Sequence, residues 1–542
     1  MKKLVLFTCI VLAFAIFVAA CAPAPTAVPA PTAAATSAAP KVEPTKAVAG
    51  PKVLRLGRST FPSVVDPQRS SFGIEIEVLK FCYEGITAID AKGNIGPGGA
   101  DTWKSAADGL SMTFHIREGL KRADGTAMNA SDYEYALKRE VDPRLTDKQY
   151  TDIVSDVKGA SALIDLEGTK VSDADYAKLF AAYGVKADDS KRELTVSFNA
   201  PIGYWHYIAY TWVTYPTDKK KADAAPDNWW TKADGHNCNG PFSIKTYEDG
   251  KRIVYTANAN YWRGKPKLDR VEVTYITDEV QRFEAYKKGE FDEVDVSPAT
   301  LDSVNSDATL KAEFLRYAGA STRALQFNNA RKPFDDRNAR VAFSQAWDRK
   351  AWVRDVLKGI GVASTRWLPP GVPGAQTGKP GVPDTDAKAA VATLISNGYG
   401  TADGKKVDCA KLGELKLTYG ASAQAHARFQ FLAGNFVTAF NCAVTLDPVD
   451  PTVATALTKD PKTTPQIAYG GWIQDYPHPQ NWLSVYFKCT AFAKRYSYCN
   501  KDNDALVSKA DQTLNFDESV KLYSQAEDTI LKDVPFAFGI HS

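Results

Sequence analysis

Histidine and methionine are scarce in this chain of 542 residues, at six and three. The histidines (His115, His206, His236, His426, His478 and His541) are scattered, so neither a metal site nor a metal cofactor is expected. Gly-x-Ser-x-Gly, His-Glu-x-x-His and phosphate-loop patterns are all absent, which argues against the common hydrolase and nucleotide-hydrolysing sites. Ser155-x-x-Lys158 is a lone trace of a nucleophile pattern without its usual companions. It leaves a cell-surface hydrolase as a minor alternative to a non-enzyme. Charge of one sign is also lacking. A net charge of +3 and no Lys/Arg run argue against a nucleic-acid partner. After Val18 no apolar run is long enough to span a membrane.

What is present begins with an address. Lys2 and Lys3 precede an apolar run from Leu4 to Val18, then Ala19-Ala20-Cys21, the three-part layout of a secretory signal over residues 1–20. The cysteine after two small residues resembles a bacterial lipoprotein signal, in which Cys21 becomes the lipidated first residue. The alternative is an ordinary signal cut near Ala20. Residues 22–51 are mostly Ala, Pro and Thr and cannot bury a core. At about 3.1 Å per residue this stretch could reach roughly 90 Å, a tether between membrane and folded body. The expected location is therefore extracytoplasmic, with the membrane touched through the lipid alone.

Cys9 lies in the signal, which leaves six cysteines beyond Cys21. In an exported chain an even number reads as disulfides, with zinc the unsupported alternative. Proximity pairs Cys489 with Cys499. Cys409 and Cys442 each precede an expected strand (Leu415–Tyr419 and Ala443–Leu446), so neighbouring parallel strands would join them. Cys82 and Cys238 remain.

The length suggests two or three domains. Strand patterns at 52–57, 112–117, 194–198, 243–247, 252–256, 271–276, 324–328 and 534–538 alternate with helical ones, giving an α/β protein with mixed sheets. Ser131 with Glu134 reads as a capping box opening a helix to about Glu140. Strand 415–419, helix 425–440 and strand 443–446 form a βαβ unit. From Gly470 to Asn500 the chain concentrates aromatic side chains near one acid, Asp475, with Tyr476, Pro477, His478 and Pro479 expected as a rigid loop. Trp472, Tyr476 and Trp482 are expected to crowd that acid. An anion among aromatic faces suits a cationic head group such as an α-amino group.

Motifs in order along the chain then carry a resemblance. They include Phe81-Cys82-Tyr83-Glu84-Gly85-Ile86, Thr113-Phe114-His115-Ile116-Arg117-Glu118-Gly119, Asn239-Gly240-Pro241-Phe242, Tyr261-Trp262-Arg263-Gly264-Lys265-Pro266, Pro333-Phe334-Asp335-Asp336 and Trp472-x-x-Asp475-Tyr476-Pro477. Together they resemble the extracellular solute-binding proteins of peptide, oligopeptide and nickel ABC importers, family 5. The resemblance implies a two-lobed periplasmic-binding-protein-like fold (class II, cluster C type) with three domains. Domain I would comprise 52–88 and 196–318, domain II 89–195, and domain III 319–542. It also implies a monomer that delivers peptides to permease subunits backed by ATPase subunits, without a cofactor.

The implied peptide lies as an added strand against Ser71-Phe72-Gly73 and Gly471-Trp472, with its amino terminus on Asp475. Arg428, or else His426, would hold the ligand carboxylate, and Trp367 would line a pocket. The Cys489/Cys499 spacing resembles a disulfide of dipeptide-binding members. Two features depart from the pattern. The chain stops at Ser542, short of the usual return to domain I. His478 stands where an acid is more usual, which would soften the potential around the ligand amine. The alternative ligand set on the same fold is an oligosaccharide, nickel chelate or haem.

Overall fold

The computed structural model describes residues 50–542, so the signal and Cys21 lie outside the described residues. Residues 51–542 form one compact unit. Its first sheet has five strands, in the order Glu293–Val294, Val53–Arg58, Arg270–Tyr275, Arg252–Ala257 and Phe242–Glu248. Val53–Arg58 runs parallel to both Arg270–Tyr275 and Glu293–Val294, and the other two pairings are antiparallel, so the sheet is mixed as expected. A second, antiparallel sheet places Ala100–Ser105, Ser111–Ile116, Glu193–Ser197 and Val185–Asp188 side by side. One continuous core joins the two: Leu56, Ile253 and Val271 of the first sheet with Phe114 and Leu194 of the second.

The third sheet runs Val362–Ala363, Phe536–His541, Ser321–Phe327, Ile467–Ile473, all antiparallel. Strand alternation gives it two dry faces. Leu325 and Phe327 pack with Phe343 and Trp352, and Ala324 packs with Trp367 and Phe538. The sheet and its two cores make a second body. The βαβ unit is as the sequence reads. Leu415–Gly420 pairs in parallel with Val444–Val449 across the helix Ala423–Phe440, and the Cys409–Cys442 disulfide lies at its base. Cys82 with Cys238 and Cys489 with Cys499 are the other two bridges.

Two boundaries differ from expectation. The helix Ala130–Val141 is boxed by Asn129 and Asp132, whose carboxylate takes the Asn129 N–H at 2.8 Å. Ser131 is instead bound through its hydroxyl to Asp189 at 2.7 Å. The last strand starts at Phe536 rather than Val534, because Val534 takes a left-handed φ of 49° to end the helix Phe516–Asp533.

The helix Ala130–Val141 also fixes the loop leading to residues 71–73. Arg139 Nη2 donates to the fully buried Asp66 at 2.6 Å. Next to it, Glu140 is fully buried, and neither carboxylate oxygen has a hydrogen-bond partner among the described residues. Burial pushes its carboxyl well above the ordinary value, against the pull of the Lys148 ammonium. The folded state therefore keeps a proton that the unfolded chain releases from about pH 4.3 upward. This contribution to stability is full below that pH and is lost as pH rises toward the folded-state value. Glu140→Gln removes the loss. It is expected to stabilise the fold at pH 7 by about 1 kcal/mol or more, and to change little at pH 4. Thermal melts at the two pH values check this, and equal shifts would mean that Glu140 ionises freely in the fold.

Candidate functional site

A cavity of about 1150 Å³ lies between the two bodies. Its wall on the second body is the strand Ile467–Ile473. This is an edge strand: Ser321–Phe327 pairs with one side, and no strand of the described residues pairs with the other. Residues 468–473 all line the cavity. Close approach restricts two of these positions, Gly470 against the end of a glutamine side chain and Gly471 against backbone. A Cβ on Gly470 would meet Gln326 Oε1 at 1.9 Å, and one on Gly471 would meet the Thr322 carbonyl oxygen at 1.8 Å. A Gly-Gly pair reads locally as a turn, so the sequence signal for this strand is hidden.

Asp475 lies two residues beyond the strand's end and lines the same cavity. Its carboxylate accepts from the Tyr150 hydroxyl of the opposite body and from Asn481 Nδ2 at 3.0 Å. Asn481 Oδ1 in turn accepts from the Asp475 N–H and from Trp472 Nε1, both at 3.0 Å. The acid is thus oriented by neutral donors, and no cation of the described residues is ion-paired with it. Burial pushes its carboxyl up, opposed by the Tyr150 and Asn481 bonds and weakly by Lys80. A carboxylate held this way lacks a counter-charge, and leaving it so is costly. A cation entering the cavity would supply one.

The aromatic surroundings are only partly those expected. Tyr150 stacks between Trp212 at 5.1 Å and Trp472 at 6.3 Å, and Phe492 lies 5.0 Å from Trp472. Tyr476 and Trp482 do not surround the acid as expected. Both are fully buried, and Trp482 belongs to the second body's core. Trp367 is placed likewise. It is fully buried, its indole N–H donating to the Trp482 carbonyl at 2.8 Å, and it does not line the cavity.

On the first body the rim Ser71-Phe72-Gly73 does line the cavity. Phe72 is exposed and enters the helix Gly73–Cys82. The buried Glu75 carboxylate accepts the N–H groups of Ser71 at 3.1 Å and Phe72 at 3.2 Å. Those two donors are therefore engaged within the protein, which limits the backbone pairing expected there. Glu75 is the third residue of that helix and reaches back to the N-cap, but with Phe72 at the cap no capping-box pattern marks it in the sequence.

Arg428 and His426 sit on the helix Ala423–Phe440 and are not among the residues lining the cavity. The Arg428 guanidinium lies 5.2 Å from the ring centre of Tyr469, a residue that does line the cavity. His426 is exposed and pairs with the Tyr419 hydroxyl at 2.6 Å. His478 is buried and caps the helix Pro479–Phe487, its Nδ1 accepting the Gln480 N–H at 3.2 Å. Burial holds its pKa down to about 3. It is a neutral capping group outside the cavity lining, and the expected electrostatic role does not arise. Ser155 is likewise structural, its hydroxyl donating to the Asp152 carbonyl at 2.7 Å. Among the described residues no group of three or more His, Cys, Asp or Glu could hold a metal ion, and no helix is long and apolar enough to cross a membrane.

Residues 94–494 match the family described as bacterial extracellular solute-binding proteins, family 5, middle region. The chain is similar to the oligopeptide-binding protein OppA of Bacillus subtilis, at 26% identity over 497 residues, covering 90% of this chain and 87% of that protein. Its fold is similar to that of the Escherichia coli murein tripeptide binding protein MppA, with a TM-score of 0.78 at 21% identity, covering 92% of this chain and 94% of that one. It is also similar to Haemophilus influenzae OppA, solved in complex with the peptide RPPGFSPFR, with a TM-score of 0.76 at 20% identity, covering 91% and 94%.

Proposed function

The chain belongs to the bacterial extracellular solute-binding proteins, family 5, and on that premise we propose that it captures peptides in the cavity between its bodies. The peptide adds a strand to the free edge of Ile467–Ile473 and sets its α-ammonium on Asp475. Chain-backbone pairing reads peptide main chain and tolerates varied side chains. The protein then hands the peptide to the permease subunits of an ABC importer, whose ATPase subunits supply the energy, so the binding protein itself needs no catalysis. Residues 52–88 with 196–318, 89–195 and 319–542 act as its three domains. Lipid on Cys21 and the tether 22–51 hold the monomer at the outer face of the membrane.

The observation that carries the reading is Asp475: a carboxylate without a counter-ion, at the end of an unpaired sheet edge, inside a cavity. Peptide relatives are consistent with it. The test is native mass spectrometry of the mature protein purified from its own cells, followed by denaturation to release what it carries. Short peptides are expected. Release of a sugar, a nickel chelate or haem in their place would overturn the reading.

A further inference from the structure

Twelve large apolar side chains are exposed among the described residues, and four of them line the cavity between the bodies. Phe72 and Ile74 stand on the first body, at the start of the helix Gly73–Cys82. Tyr317 lies between the helix Ala308–Glu313 and the strand Ser321–Phe327, and Ile473 ends the edge strand of the second body. None of the four packs against a core cluster. Single apolar residues scattered over a surface are ordinary, but several gathered in one groove mark a surface that something covers. Local structure does not ask for them either. Phe72 is an N-cap residue, at a position that favours Ser, Thr, Asp or Asn. Ile473 lies opposite Ser321 at the end of its strand pairing, where Thr would serve the strand as well. Trp472 and Phe492, both half-buried and 5.0 Å apart, continue the apolar lining inward.

From these observations we infer that the cavity selects an apolar side chain near the amino end of its peptide, with Phe72 and Ile473 as the specificity-determining residues. The inference rests on the peptide reading given above. Ile473 precedes Asp475 by two residues, roughly 7 Å of extended chain. A peptide with its ammonium on Asp475 and its backbone along the edge strand therefore brings its first or second residue level with Ile473. Phe72 and Ile74 supply apolar surface from the opposite body. The preferred ligand class is a short peptide with a residue such as Leu, Ile or Phe at one of those two places. Main-chain pairing stays indifferent to sequence, and the selectivity comes from water removed from apolar surface on both partners. A polar side chain at the same place would lose its hydration to surfaces that offer it no hydrogen bond.

Calorimetry on the mature protein tests this with tetraalanine carrying leucine or asparagine at its first or second residue. The two side chains are close in size and differ in polarity. The wild-type protein is expected to favour leucine over asparagine about tenfold or more at one of the two places, with a more negative heat capacity of binding. When Phe72→Ser is combined with Ile473→Thr, the ratio is expected to fall to about threefold or less. At 47% and 57% exposed, Phe72 and Ile473 hold little of the fold. The replacements suit an N-cap and a strand, so the double variant should melt with the wild-type protein. A wild-type protein indifferent to leucine overturns the inference. A ratio that survives the double variant also overturns it, even if every probe then binds more weakly, because the exposed side chains would serve closure of the cavity and not its selectivity. If Asp475→Asn weakens every probe while the wild-type protein treats leucine and asparagine alike, the peptide reading stands and the apolar subsite falls. If no probe binds the wild-type protein, both fall.

Discussion

Asp475→Asn is expected to weaken peptide binding by about 2 kcal/mol or more, roughly thirtyfold in affinity. The substitution keeps the shape of the side chain, and an amide oxygen can still accept from Tyr150. What it removes is the charge. In the empty protein that charge is oriented by Tyr150 and Asn481 but not neutralised, so burial raises the carboxyl's pKa. A bound ammonium would lower it again. Affinity should therefore fall as pH drops through the raised value of the empty site, because protons then compete with the ligand. The companion measurement uses an N-acetylated peptide, which should bind the wild-type protein about as weakly as the free peptide binds the variant. Combining both changes should cost little more than either alone. Unchanged affinity of Asp475→Asn for a free peptide would remove Asp475 from the site.

Asp475 was legible in the sequence because its neighbours are local: Trp472 precedes it by three residues, and the Pro477-His478-Pro479 turn fixes its loop. Cys409 and Cys442 were legible for a related reason, since each lies shortly before a strand of one βαβ unit. The partners of Asp475 were not. Tyr150 is 325 residues away in sequence and arrives from the other body. Nothing in its own surroundings, Lys148-Gln149-Tyr150, announces a ligand. Trp367 misled in the opposite sense. It was expected to line a pocket, but its indole N–H finds the Trp482 carbonyl inside the core and needs no ligand. His478 misled in the same way, because burial leaves it neutral and its free nitrogen caps a helix. Side chains with one polar atom satisfy it most cheaply inside the fold, and a sequence does not reveal when they have done so.

Gly471→Ala should harm both the fold and the binding. Its Cβ would lie 1.8 Å from the Thr322 carbonyl oxygen and 2.8 Å from the carbonyl carbon. Both are backbone atoms, so no side-chain rotation relieves the clash. Thr322 cannot retreat freely, because it is fully buried and its hydroxyl is bound to the Trp367 carbonyl at 2.7 Å. The edge strand must move instead, and Asp475 moves with it, four residues on. A loss of about 2 kcal/mol or more in unfolding free energy is expected, with peptide affinity reduced about tenfold or more. Gly434→Ala supplies the control. That glycine is exposed within the helix Ala423–Phe440, and its added Cβ would meet nothing within 4 Å. There the same methyl group should stabilise the protein by about 0.5–1 kcal/mol through helix propensity and leave binding untouched. Denaturant melts and calorimetry on the two variants separate backbone conflict from the general effect of replacing glycine. Were Gly471→Ala to fold less stably and still bind peptide with wild-type affinity, the free edge of Ile467–Ile473 would not be where the ligand's backbone pairs.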